Sequence, residues 1–308
     1  MSSIITITLN PAIDKTTSVD VLVPDKKMKC AEPFFAAGGG GVNVARAIKK
    51  LGGEAIAIFM AGGYSGIFFE QLLKKESVES LSIEIAGHTR ENLTVFEKKS
   101  KRQYRFGMPG PLVSEKEWKE LLVLLEKIED VSFIIASGSV PEGVPEDIYA
   151  RISKIAKKKN AKFIVDTSGD ALKYAVNEGA YLLKPNLAEL SSLVGKEWID
   201  ENQVSEAAKE ILSKGKTHAL VVSMGEKGAL IVTGNETRLI SPPLVERKST
   251  VGAGDSMVAG IVISLSKGKS LLEAAKYGVA CGTAATMNPG TELCRLEDAE
   301  RLYAEIRS

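Results

Sequence analysis

Short runs of consecutive apolar residues recur along the chain, each followed by a stretch in which apolar positions return with helical spacing. The runs are "SIITITL" (3–9), "EAIAIFMAGG" (54–63), "VSFIIASGS" (131–139), "AKFIVDTSG" (161–169), "AYLLKPN" (180–186) and "ALVVSMGEKGALIV" (219–232). Between them lie amphipathic segments such as "GVNVARAIKKLG" (41–52) and "GIFFEQLLKKE" (66–76). Near-continuous apolar strands joined by helices predict a mostly parallel sheet covered on both faces, a doubly wound α/β fold. Two stretches, about 15–36 and 88–108, break this rhythm by alternating apolar and polar residues, with many Val, Thr, Phe and Tyr. They predict a small accessory sheet of antiparallel strands with one exposed face. No linker, low-complexity segment or repeat divides the chain, so residues 1–308 are expected to form one domain with those strands as an appendage.

Composition narrows the choice of chemistry. The formal net charge is +1 over 308 residues, 26% of them charged, which gives no electrostatic footprint for nucleic acid. Lysine runs such as "KKKN" (157–160) fit solvated helix ends. No apolar stretch reaches the roughly 20 residues needed to span a bilayer, and "MSSIITITLNP" lacks a signal peptide's basic start and cleavage site. A cytoplasmic protein with no membrane partner is expected. The three cysteines (Cys30, Cys281, Cys294) and two histidines (His88, His218) fit neither a disulfide framework nor a zinc site. Acid/base chemistry therefore falls to carboxylates.

Ligands of open α/β sheets bind beyond the carboxyl ends of the strands, and polar, glycine-rich punctuation falls there repeatedly. "NPAID" follows the first strand, "GGGGVN" opens a helix, and "KPNLAE", "SMGEKG" and "GAGD" follow later strands. In "STVGAGDSMVAG" (249–260), Asp255 stands where a helix start gathers N–H groups that attract anions. It reads either as a helix cap or as a carboxylate set beside an anion site. Asn43 reads as a helix cap or a hydroxyl ligand, and Asp14 as a turn former after Pro11 or a hydroxyl ligand. A dinucleotide-binding reading fails, because no G-x-G-x-x-G with an acid about 20 residues on follows the first strand.

Together "AGGGGVNVARAIKKLG" (37–52) and "STVGAGDSMVAG" resemble the two signature regions of the PfkB, or ribokinase-like, sugar kinases. "TLNPAID" (8–14), "KPNLAEL" (184–190) and "NPGTELC" (288–294) make the chain similar to the phosphosugar kinases of that family, nearest its 6-phosphofructokinase branch. The resemblance implies a three-layer α/β/α fold with a mostly parallel central sheet and a small β-sheet lid. It further implies transfer of the γ-phosphate of ATP to the 1-hydroxyl of fructose 6-phosphate. Asp255 would be the base, and the backbone of Gly252, Ala253 and Gly254 the anion hole. Asp14, Gly38, Gly39, Gly40, Asn43 and Ser139 would bind the sugar. Lys27, Arg90 and Arg105 would meet its phosphate, with Arg90 preferred because its fork matches phosphate geometry and the other two also fit a solvated basic face.

Lys184, Asn186, Ser223, Gly225 and Gly228 would contact the nucleotide. Asn186 and Glu189 match the family's N-x-x-E pattern for Mg²⁺, a hard cation suited to oxygen donors. Ser249, Val251, Ala285, Asn288 and Gly290 match its potassium loop, acting chiefly through carbonyl oxygens. Glu292 stands where relatives often carry arginine. A homodimer through the lid strands is also expected, since their apolar face needs cover. A tagatose 6-phosphate or fructose 1-phosphate kinase and a non-catalytic sugar-phosphate sensor remain as alternatives, the sensor disfavoured because binding alone needs no base.

Overall fold

The computed structural model describes residues 3–307. The first third holds β1 (Ser3–Thr8), β2 (Ala12–Val19), β3 (Phe34–Gly38), α1 (Gly40–Lys50), β4 (Ile56–Ala61), α2 (Gly63–Lys75) and β5 (Glu79–Glu84). Next come β6 (Arg90–Glu97), β7 (Arg102–Phe106), α3 (Glu115–Lys127), β8 (Val131–Ser137), α4 (Ile148–Lys158), β9 (Lys162–Asp166) and α5 (Gly169–Glu178). The remainder comprises β10 (Leu182–Leu183), α6 (Leu187–Leu193), α7 (Val204–Ser213), β11 (Ala219–Ser223), β12 (Ala229–Thr233), β13 (Thr237–Ile240), α8 (Ala253–Ser266), α9 (Leu271–Thr286) and α10 (Leu296–Arg307).

Nine strands form the main sheet in the order β13-β12-β11-β10-β9-β8-β1-β4-β5. All neighbours from β11 to β5 are parallel, and only β11-β12 and β12-β13 are antiparallel. The apolar stretch 219–232 is therefore a hairpin, because a tight turn at Gly225–Lys227 reverses the chain. Successive strand residues alternate between two cores: Phe133 and Ile135 join one with α1, α8 and α9, and Ile134 and Ala136 join the other with α3, α4, α5 and α7. This is the ribokinase-like three-layer α/β/α architecture. Burial on both faces explains why the strands read as unbroken apolar runs.

The accessory sheet has the order β3-β2-β6-β7. Its outer pairs are antiparallel as expected, but β2 and β6 run parallel over their full length. The main-sheet elements between β3 and β6 bring the chain back from the same side, which sets that direction. The first lid strand begins at Ala12, ahead of the predicted bound, and residues 20–33 form no strand.

α8 is buried along nearly its whole length and lies against α1 and α9. A Cβ on Gly260 would fall 2.6 Å from Cys281 Sγ, and one on Gly278 would fall 2.5 Å from Ile261 Cγ1. The three cysteines are free thiols, Cys281 and Cys294 buried and Cys30 exposed. Among the described residues no helix is long and apolar enough to cross a membrane.

Candidate active site

The order of the parallel strands fixes the site. Neighbouring strands β11, β10, β9, β8 and β1 end at Ser223, ahead of Lys184, at Asp166, ahead of Ser139 and ahead of Asn10, so these residues line one carboxyl edge. Residues read as nucleotide contacts stand at one end of the row and those read as sugar contacts at the other. A concavity of about 560 Å³ lined by Ser3, Gly52 and Ser132 lies at the opposite, amino-terminal edge and gathers no such set of groups.

α8 supplies the centre. Gly252 adopts φ 72° just before the helix, and a Cβ there would meet Leu293 Cδ2 at 2.6 Å, so conformation and space both require glycine. The first-turn amides of Gly254 and Asp255 have no acceptor within the helix, while Ala253 N–H makes a long 3.4 Å bond to Thr250 O. Asp255 does not cap α8: its side chain accepts no bond from that helix start. Its Oδ2 instead accepts a 3.0 Å hydrogen bond from Asn43 Nδ2. Asn43 lies inside α1, whose cap is Gly39, and so it is no cap either.

Burial pushes the Asp255 carboxyl from 3.8 to about 7, and the nearby Asp166 charge adds to the rise, against the Asn43 bond and Lys184. Lys184 is 6% exposed and pairs with Asp166 at 3.0 Å. Burial works against its charge, but Asp166, with Glu189 and Asp255 beyond, holds its pKa above the ordinary value. A Cβ on Gly254 would lie 3.3 Å from Lys184 Nζ, so this ammonium stands directly beside the GAGD backbone.

The accessory sheet carries several of the residues expected to meet a sugar. Asp14 is on β2, opposite Ala36 and Asn92, and not in a turn. Its carboxylate fills the space a Cβ on Gly38 would take, 2.1 Å from Oδ2. Burial raises the Asp14 pKa, opposed by a 3.0 Å bond from Asn92 and by the charges of Arg46, Arg90 and Arg105. Arg90 opens β6 and donates to the carbonyls of Asn10 at 3.0 Å and Met108 at 3.1 Å. Its Nε is buried without a partner. Asn10 also donates to Ser139 Oγ at 3.1 Å. Arg105 lies on the same lid face as Asp14, bonded to Gln103. Lys27 is exposed on the 20–33 loop.

On the nucleotide side, Asn186 is a cap: its Oδ1 accepts from Glu189 N–H at 2.9 Å, and Glu189 Oε2 accepts from Asn186 N–H at 2.8 Å. This box leaves Glu189 one free carboxylate oxygen, and burial raises the carboxyl's pKa despite the Asn186 bonds. A carboxylate disfavoured by burial and partly free fits a cation that keeps most of its waters and phosphate oxygens. No cluster of three or more potential metal ligands occurs among the described residues. Ser223 N–H donates to Pro185 O, tying β11 to the Lys184 loop, and Gly225 and Gly228 shape the turn beyond it.

The predicted potassium loop closes on itself. Ser249 Oγ donates to Gly290 O at 2.8 Å and accepts from Val251 N–H at 3.2 Å, while Ala285 O accepts from Asn288 N–H. Each carbonyl keeps a lone pair for a cation. Glu292 pairs with Arg295 at 2.8 Å, which neutralises the acid that departs from the pattern.

Sequence reasoning missed Asp166, Asn92, Asn10 and Arg46. Asp166 ends an ordinary apolar strand. Asn10 and Asn92 meet partners far away in sequence, and Arg46, although it lies inside the "AGGGGVNVARAIKKLG" signature and bonds the nearby Asn43, is fixed by Glu76, 30 residues on.

A model of the pfkB family of carbohydrate kinases matches residues 4–299. The chain is 43% identical to the ATP-dependent 6-phosphofructokinase isozyme 2 of Escherichia coli (strain K12), over 99% of each chain. The crystal structure of Escherichia coli phosphofructokinase-2 in complex with potassium superposes with a TM-score of 0.96 at 42% identity, and that in complex with fructose-6-phosphate with 0.94 at 41%, each covering 100% of both chains.

Proposed function

The chain belongs to the pfkB family of carbohydrate kinases, and from that premise we propose that it is an ATP-dependent 6-phosphofructokinase, converting fructose 6-phosphate to fructose 1,6-bisphosphate. The observation that carries the reading is Asp255, a carboxylate with pKa about 7 placed beside the open amides of α8 and bonded to Asn43. The sugar lies between Asp14, Asn43, the Gly38–Gly40 turn and Ser139. Its 6-phosphate lies towards the Arg90 guanidinium, which the carbonyls of Asn10 and Met108 hold in place. Asp255 takes the proton of the 1-hydroxyl as that oxygen attacks the γ-phosphorus in line, and ADP departs along Lys184 and Ser223. The amides of Gly252 to Asp255, together with Lys184, meet the charge on the transferring group.

Glu189 and Asn186 would hold Mg²⁺, which when bound neutralises phosphate charge. The carbonyls around Ser249, Val251, Ala285, Asn288 and Gly290 would hold K⁺, behind the anion hole. The lid face that bears Asp14 and Asn92 also carries Phe34, 61% exposed, and Phe96, 39% exposed. A second copy covering this face would form a homodimer, exclude water from the sugar and give the exposed Lys27 a place at the partner's sugar. Residues 1–308 then act as one kinase unit with its lid.

A coupled ADP-release assay tests the reading with fructose 6-phosphate, tagatose 6-phosphate, fructose 1-phosphate, fructose and ribose. The highest kcat/KM should come with fructose 6-phosphate. Tagatose 6-phosphate, which differs at one stereocentre, should follow at roughly 10-fold or more below, and fructose 1-phosphate should give little. A preference for fructose 1-phosphate or a free sugar would overturn the assignment and the role of Arg90.

A further inference from the structure

Arg46 lies one turn beyond Asn43 on α1 and is 4% exposed, a rare burial for arginine. Its Nε donates to Glu76 Oε1 and Oε2 at 3.0 and 2.9 Å, and its terminal nitrogens reach Glu76 Oε1 at 2.8 Å and Ala37 O at 2.8 Å. The nitrogen on Ala37 also donates to Asn43 Oδ1 at 3.1 Å. Glu76 itself sits at the C-terminal cap of α2. The guanidinium is thus fixed by two elements outside α1.

A side-chain amide has an accepting and a donating end, and nothing in its shape decides which way it faces. A guanidinium has donors only, so the end of Asn43 turned towards Arg46 must be the oxygen. The NH₂ end then faces Asp255, where Nδ2 lies 3.0 Å from Oδ2. Turned over, the amide would set donors against Arg46 and an oxygen against the carboxylate. Asp166 from β9, Lys184 after β10 and Asp14 from β2 also face Asp255 through their charges, but Asn43 is the side chain that donates a hydrogen bond to it.

We propose that Arg46 is a positioning residue for phosphoryl transfer: it locks the Asn43 amide in the orientation that donates to Asp255. The role rests on the reading of Asp255 as the base. Arg46 touches neither sugar nor nucleotide; it works through Asn43, with Glu76 as its anchor.

The test is a double-mutant cycle in the full-length protein with ATP and fructose 6-phosphate, using Arg46→Met and Asn43→Ala singly and together. Arg46→Met should lower kcat about tenfold, the scale of one misaligned hydrogen bond, with KM for ATP unchanged. It should also move the acid limb of kcat/KM up by about half a pH unit or more. In the Asn43→Ala background the same change should cost less than about twofold, because the group it positions is gone. If Arg46→Met fails to fold, Glu76→Gln replaces it in the cycle, with a loss of severalfold that disappears in Asn43→Ala. Equal losses with and without Asn43, or native turnover in folded Arg46→Met, would overturn the positioning role while leaving the kinase reading intact. A native protein inactive on every phosphosugar would overturn both.

Discussion

Replacing Asp255 by asparagine separates what the carboxylate does in the reaction from what it costs the fold. Burial, reinforced by Asp166, raises its pKa from 3.8 to about 7. Each pH unit of that gap is worth about 1.4 kcal/mol, so the ionised carboxylate destabilises the native state by up to about 4 kcal/mol. Between the two values the unfolded chain is ionised while the native site is neutral, so stability falls as pH rises. The penalty is absent below the lower value, grows through the interval and is complete above the upper one. Asparagine is neutral throughout, and its Oδ1 can accept the same bond from Asn43. The variant should therefore lose roughly 100-fold or more in kcat while retaining substrate binding. At about pH 8 it should be more stable than the native protein by a few kcal/mol, and at about pH 5 by less than half as much. A coupled kinase assay and denaturant unfolding at both pH values measure the two effects. Near-native turnover would remove Asp255 from its role, and an equal stability change at both pH values would refute the electrostatic argument.

With a base of pKa about 7, kcat/KM for fructose 6-phosphate should rise about fourfold from about pH 6.5 to 8, above the sugar phosphate's own ionisation near 6, and a flat profile would contradict it. Arg90→Ala should raise KM for fructose 6-phosphate by roughly 10-fold or more and leave KM for ATP unchanged, since one charge-assisted phosphate contact is lost; an equal rise for both substrates would point to a collapsed lid. Phe34→Asp with Phe96→Asp should convert a homodimer to monomer at micromolar concentration by sedimentation and raise the sugar KM; a persisting dimer would place the interface elsewhere. Exchanging Na⁺ for K⁺ should raise kcat severalfold in the native protein and much less in Ser249→Ala, whose loop loses the bond to Gly290 O; identical rates in the two salts would remove the cation site.

The alternation of apolar runs and amphipathic segments made the parallel sheet legible, because strands buried on both faces carry mostly apolar side chains. β10 was read within the run "AYLLKPN" but holds only two strand residues, and the β2–β6 pairing ran opposite to the prediction because strand direction depends on where intervening elements return the chain. At the site, the glycines and Asp255 announced themselves through local backbone need. Asn43 and Asp255 each also admitted a reading as caps, and only a contact spanning the distance from α1 to α8 decides that they bind each other. Asn186 shows the reverse case: a residue read as a nucleotide ligand is also a genuine cap. Arg46 went unread, since nothing beside it in sequence signals Glu76 or burial.

The close contact of α8 with α9 at Gly260 and Gly278 leaves no slack for the helix that carries Asp255 to slide or roll. On the proposed reading, Asp255 and the amides beside it behave as a fixed anvil, while Asp14 and Arg90 hold one side of the sugar from a separate sheet. Such a division gives selection and the engineer different materials to work with. On that reading, changes in β2, β6 and β7 would alter which sugar is presented, while Asp255 and its neighbouring amides would act on whatever hydroxyl arrives in line. Grafting these strands from a relative with another sugar preference is then a route to new acceptors, whereas any side chain added at Gly260 or Gly278 would shift the anvil and blunt the reaction for every acceptor alike.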